Sequence, residues 1–158
     1  MTKKAAASPI KSSLPLHPEV LSHHLATLEP MLQSWAEKKS PSQVTLLTGP
    51  EGVGKRSIVF YLTQWLGCKE SPFSSQSGQP GKTTPCGQCI PCKRMAKNEN
   101  FDFVHIAPES TAEGRLGSIK VEAIHTLVQS QGFSSYESPY KVILISNAGA
   151  MTPQSANS

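Results

Sequence analysis

A parallel α/β sheet flanked by helices is what the sequence predicts. Three observations predict it: a β-branched run that feeds a glycine-rich turn and then a helix, two further short apolar runs, and a stretch of helical apolar spacing between those two. With 158 residues the chain can bury the core of one domain. Fifteen Lys and Arg against eleven Asp and Glu give a net charge of +4, short of the dense basic stripe of a dedicated nucleic-acid binder. The first residues carry Lys3, Lys4 and Lys11 without the apolar core of a signal peptide, and no stretch has the roughly twenty apolar residues that span a bilayer. The expectation is a soluble, cytoplasmic protein with no membrane partner.

Residues 1–17, rich in proline and serine, read as a flexible leader, and 18–158 as the ordered domain, one that stops short at its C-terminus. Leu21, Leu25, Leu28, Leu32 and Trp35 recur at steps of four and three, so a helix lays one apolar face on the core. Pro30 interrupts it, which predicts either two short helices or one kinked helix. Val44-Thr45-Leu46-Leu47 reads as a buried strand running into Gly49-Pro50. Ile58, Leu62, Trp65 and Leu66 mark the next helix, and Gly67 suits its end. Residues 69–85 are too polar to pack and read as a surface insertion leading to a cysteine module at 86–92.

Asp102 to Ile106 predicts a second strand, and Ile119, Ala123, Ile124, Leu127 and Val128 a second amphipathic helix. Lys141 to Ile145 predicts a third strand. Thr152-Pro153 forms an N-cap and first-turn pair, yet the few residues after it are too short for a helix to pass its nucleation cost. The chain therefore reads as a fragment.

Gly49-Pro50-Glu51-Gly52-Val53-Gly54-Lys55 matches the phosphate-loop pattern G-x-x-x-x-G-K, in the strand-to-helix setting the pattern requires. Its glycines let backbone N–H groups converge on a phosphate at the positive end of the helix, where Lys55 can reach the terminal phosphates. The next residue should be Ser or Thr to hold Mg²⁺, and it is Arg56; Ser57 comes one place too late, a helical step of about 100° away. The third strand should end in acidic residues, and it ends in Ser146-Asn147. Hydrolysis is not expected. Two readings stand for residues 49–57: a site that still binds ATP or phosphate, and a vestigial loop kept as scaffold.

Cys86, Cys89 and Cys92 stand at two-residue gaps, close enough to turn around one ion, with Cys68 available as a fourth thiol. Four thiolates suit a structural, tetrahedral zinc ion with no open position for catalysis. An iron–sulfur cluster is the rival, although that pattern wants a further Cys-Pro where Lys93 stands; free thiols are the remaining reading. His23, His24, His105 and His125 have no carboxylate at ligand spacing and read as structural, and neither Ser57 nor Ser146 has a base beside it in sequence, so no catalytic residue is proposed. Lys93, Arg94 and Lys97 read either as a solvated helix face or as a nucleic-acid contact.

A phosphate-loop helix ending in Cys68, the C-x2-C-x2-C cluster, the run Asp102 to Pro108 and the closing Lys141-Val-Ile-Leu-Ile together resemble the clamp-loader subunits of bacterial DNA polymerase III, an AAA+ family, over about Pro18 to Ser158. Gly-Pro-Glu-Gly-Val-Gly-Lys-Arg and the segment Asn147 to Asn157 look most like the δ′ (delta prime) family, in which ATPase motifs are often eroded; γ/τ motor subunits normally keep Lys-Thr or Lys-Ser and an Asp-Glu pair. The resemblance implies a non-catalytic part in the polymerase III assembly. The ring formed with γ/τ and δ subunits would load the sliding clamp at primer–template DNA. An active γ/τ-type ATPase is the alternative. It also implies Gly49, Gly54 and Lys55 as phosphate-loop positions and Cys68, Cys86, Cys89 and Cys92 as zinc ligands, although the gap from Cys68 to Cys86 is longer than usual for the family. The family sheet places a further strand between the phosphate-loop strand and the third strand, which leads to the expectation that this chain alone is poorly stable.

Overall fold

The computed structural model describes residues 18–74, 82–108, 117–131 and 135–157. They divide into two compact units: one holds the described residues up to Asp102 together with Tyr136–Tyr140, the other Phe103–Ser135 and Lys141 onward.

The first unit is helical. α1 spans Pro18–Lys38, α2 Lys55–Leu66 and α3 Ile90–Ala96. Leu28, Leu32, Trp35 and Ala36 on α1 are buried, as are Ile58, Tyr61, Leu62, Trp65 and Leu66 on α2, and each such large apolar side chain contributes about 1.5–3 kcal/mol. Pro30 lies inside α1 without breaking it into two helices. Proline removes one backbone hydrogen bond, and the buried face on both sides of it offsets that loss.

Val44–Leu47 is the expectation the structure overturns. The run belongs to no strand, and Val44 and Leu46 are 87% and 78% exposed. Among the described residues it has no neighbour in a ladder, and β-branched composition makes a strand only where one is available.

Both ends of the polar segment 69–85 pack, while residues 75–81 lie outside the described residues. Ser71 is fully buried, Phe73 meets the Trp65 ring edge-on at 5.1 Å, and the Trp65 indole N–H donates to the Lys82 carbonyl at 2.9 Å. Tyr61 Oη donates to the Thr83 carbonyl at 3.0 Å, and Lys82 pairs with Glu70. α2 therefore fixes the point from which the chain returns toward Cys86.

The second unit is a parallel βαβ. β1 (Phe103–Ile106) pairs with β2 (Val142–Ile145) in the register Phe103 to Val142 through Ile106 to Ile145. α4 (Val121–Gln131) lies between them in the chain, as a parallel crossover requires. Each strand starts one residue later than the apolar pattern suggests, and Asp102 belongs to the turn before β1. The side chains of Leu127 and Val128, expected on the buried face of this helix, lie outside the described residues. Ile119 is 1% exposed but precedes the helix, in an isolated parallel bridge with Met151.

After β2 a 3₁₀ turn (Ala148–Ala150) leads to α5 (Pro153–Ala156), a single helical turn that forms despite its length. Thr152 caps it, accepting from the Ser155 N–H at 3.2 Å, and Ser155 Oγ donates to the Ile119 carbonyl at 2.9 Å. The cap and that tertiary bond offset the nucleation cost.

Candidate metal centre and phosphate loop

The four cysteines reach one point from three places in the first unit. Cys68 follows the end of α2, Cys86 and Cys89 flank a turn in which Gly87 adopts φ +71°, and Cys92 lies in the first turn of α3. Their sulfur atoms all lie within 4.8 Å of one another. Four sulfurs about 2.3 Å from a zinc ion would be about 3.8 Å apart, so a small contraction of this cluster suffices to hold a metal ion.

The backbone already serves the sulfurs. The N–H of Cys86 and of Glu70 point at Cys68 Sγ at 3.3 and 3.4 Å, and the Cys89 N–H at Cys86 Sγ at 3.4 Å. Gln64, buried on α2, donates to the Cys92 carbonyl at 3.1 Å and ties α3 to α2. Burial pushes the Cys68 and Cys92 thiols up. Burial acts in the same direction on Cys86, but the N–H groups of Cys89 and Gln88 outweigh it and bring that thiol down to about 7. Thiolate is the form that binds a metal, so Cys86 is the sulfur readiest to do so near neutral pH.

Cys68 joins the other three despite the long gap before Cys86. The sequence offered Cys68 as the fourth thiol across that gap; the hydrogen bonds that return the chain come from Tyr61 and Trp65 on α2, which read only as core.

Residues Gly49, Pro50, Glu51, Gly52, Val53 and Gly54 form a tight loop, with Lys55 opening α2 and Arg56 and Ser57 following in its first turn. Gly49, Gly52 and Gly54 have φ of +142°, +80° and +94°, values that L side chains rarely adopt. Lys55 Nζ donates to the carbonyls of Gly49 and Pro50 at 2.8 and 2.6 Å, so the amine is folded back over its own loop. The first turn of α2 has no acidic residue and no side-chain cap. Arg56 is exposed. A cavity of about 280 Å³ lies between α1 and the loop, lined by residues that include His24, Leu28, Leu47 and Lys55. His24, read as structural from sequence alone, donates to the Val53 carbonyl at 2.6 Å and so bears on the loop directly.

The end of β2 carries Ser146 and Asn147 where a metal-holding acid would stand. Ser146 does have a base beside it, contrary to the sequence reading: His105 Nε2 and Ser146 Oγ are 2.7 Å apart. The parallel register brings them together, pairing His105 with Leu144 two residues before Ser146.

On the cysteine module, Arg94 pairs with Glu137 and lies 5.5 Å from the Phe101 ring centre. Its charge is already matched, which removes one of the three cations that a nucleic-acid contact on this helix would use. Asp102 is a residue that sequence reasoning missed. Its carboxylate, 2% exposed, accepts the backbone N–H of Tyr136, of Glu137 at 2.7 Å and of Ser138 at 2.7 Å. No helix among the described residues is long and apolar enough to cross a membrane.

A small parallel sheet together with helices makes this a mixed α/β protein. The family model described as DNA polymerase III, delta subunit, matches residues 25–158, and the chain belongs to that family. It is 25% identical to DNA polymerase III subunit delta' of Buchnera aphidicola subsp. Acyrthosiphon pisum over 123 residues, 77% of this chain and 33% of that protein. Over 128 residues it is 29% identical to subunit delta' of Bacillus subtilis, covering 81% of this chain and 34% of the relative. To DNA polymerase III subunit gamma of the same Buchnera it is 30% identical over 112 residues, 71% of this chain and 27% of the relative. The chain thus spans about a third of the length of these relatives.

Proposed function

We propose that the chain acts as a δ′-type subunit of a bacterial DNA polymerase III clamp loader, a cytoplasmic AAA+ component that assembles with γ/τ and δ subunits and helps place the sliding clamp on primer–template DNA. The observation that carries the non-catalytic part of this reading is the pairing of Arg56 after Lys55 with Ser146-Asn147 after β2. The first position lacks the hydroxyl and the second the carboxylate that would hold Mg²⁺. Residues 49–57 then serve as scaffold, and any ATP they bind would not be hydrolysed. Cys68, Cys86, Cys89 and Cys92 hold a structural zinc ion, which supplies a cross-link between the end of α2, the turn at Gly87 and α3.

Reconstitution tests this reading. With γ/τ and δ partners, clamp loading on primed DNA should depend on the protein, while the protein alone should turn over no ATP above background with Mg²⁺. The identity to a gamma subunit favours a second reading, an active motor with displaced ligands. Mg²⁺-dependent turnover by the isolated protein, abolished by Lys55→Ala, would establish that reading and overturn the first.

A further inference from the structure

The segment Tyr136–Tyr140 is fastened to the cysteine module from several sides. Asp102 holds the N–H groups of its first three residues. Glu137 pairs with Arg94, two residues beyond Cys92. Ser138 approaches Gly67 so closely that a Cβ there would lie 2.7 Å from Ser138 Oγ, and Gly67 adjoins Cys68. The Tyr140 ring meets Phe73 at 5.5 Å, and Phe73 meets Trp65 edge-on.

Between the segment and the end of α2 lies a cavity of about 330 Å³, with Gly67, Cys68 and Phe73 on one side and Glu137 and Ser138 on the other. The segment forms one wall of that cavity. Cys68 beneath it is 1% exposed.

We propose that Asp102 is a positioning residue for the metal centre: by clamping Tyr136–Ser138 it fixes the cavity wall that faces Cys68 and braces α3 through Glu137 and Arg94. Metal retention and the order of this segment are then one coupled property, although Asp102 touches no sulfur. The inference rests on the reading of the four cysteines as a metal site. The physical step is access. A metal held by four thiolates leaves when water or a competing ligand replaces one of them, and the wall that faces Cys68 across the cavity is held by three hydrogen bonds to the Asp102 carboxylate. Partners outside the ligand set commonly change metal affinity by about 10–100-fold.

The zinc-loaded chain and its Asp102→Asn variant are compared by the rate at which a chromogenic chelator takes the metal. The variant is expected to release zinc about 10–100-fold faster. Leu32→Ala, which hollows the buried face of α1, serves as the control for general destabilisation and should release zinc at nearly the wild-type rate. In the wild-type chain, hydrogen exchange at Tyr136–Ser138 should quicken at least tenfold, on the order of the same coupling, when the metal is removed. The Ile119 amide, bonded to Ala150, should be unchanged. Equal release from wild type and Asp102→Asn, equal acceleration by Leu32→Ala, or exchange at Tyr136–Ser138 indifferent to metal overturns the inference alone. A wild-type chain that retains no zinc overturns the metal reading and the inference with it.

Discussion

Replacing Asp102 with asparagine perturbs stability by an amount that can be worked from its hydrogen bonds. In the native chain one carboxylate oxygen accepts the Tyr136 N–H and the other accepts those of Glu137 and Ser138. An amide has one acceptor oxygen. Turned to keep Glu137 and Ser138, it sets its NH₂ against the Tyr136 N–H, and the bonds that survive lose their charge. With hydrogen bonds to a charged group contributing about 1.5–3 kcal/mol each, one lost and two weakened give roughly 2–4 kcal/mol at pH 7. Burial alone would raise the Asp102 pKa, but the three N–H donors outweigh it and hold it below the usual value. A depressed carboxyl contributes stability that is complete above its unfolded pKa of about 3.9 and is lost as the pH falls through the lower folded value. Asparagine does not titrate, so the difference between the two proteins must narrow in acid. Urea unfolding followed by the fluorescence of Trp35 and Trp65, both buried in the same unit, measures this, with a chelator present in both samples to keep metal out of the comparison. Equal midpoints at pH 7, or a gap as wide at pH 3 as at pH 7, would refute the reasoning.

Gly67→Ala should cost about 1–3 kcal/mol, because the new methyl meets Ser138 Oγ at 2.7 Å; adding Ser138→Ala should recover part of that cost in a double-mutant cycle. Serine at any one of Cys68, Cys86, Cys89 or Cys92 should weaken the thiolate-to-metal charge-transfer band of the Co²⁺-substituted protein, and for Cys86 the loss should be as large as for buried Cys92. Lys55→Ala breaks two hydrogen bonds to loop carbonyls and should change the unfolding free energy by less than about 1 kcal/mol, while abolishing any phosphate-dependent shift in melting temperature.

What the sequence disclosed and what it withheld divide along physical lines. α2, α4, β1 and β2 rest on local periodicity, which a one-dimensional reading can see, and their limits fall within a residue or a few of the apolar pattern. Val44–Leu47 has the same strand-like composition but lacks the condition composition cannot supply, a laddered neighbour. Pro30 left two short helices or one kinked helix open, and one helix carries it because the burial of Leu28 and Leu32 around it is a tertiary fact. In the candidate site the cysteine spacing gave three sulfurs and offered Cys68 as the fourth, while the hydrogen bonds of Tyr61 and Trp65 that return the chain to it were not legible. The Asp102 clamp was invisible because its partners lie 34 to 36 residues away and are backbone groups, which carry no residue-type signal.

The unladdered run before Gly49 bears on how stiff the phosphate loop can be. A glycine turn presents its amides in fixed directions only if both of its shoulders are anchored. Here α2 anchors one shoulder through the Gly54 carbonyl and Ile58 N–H, while the other runs into Val44–Leu47, which pairs with no strand among the described residues. Any anion captured by this loop must first still that shoulder, at a backbone entropy cost of about 1–2 kcal/mol for each residue it orders. A neighbouring strand that laddered onto Val44–Leu47 would lift that cost beforehand, so the loop's affinity for phosphate would be set from outside its own sequence.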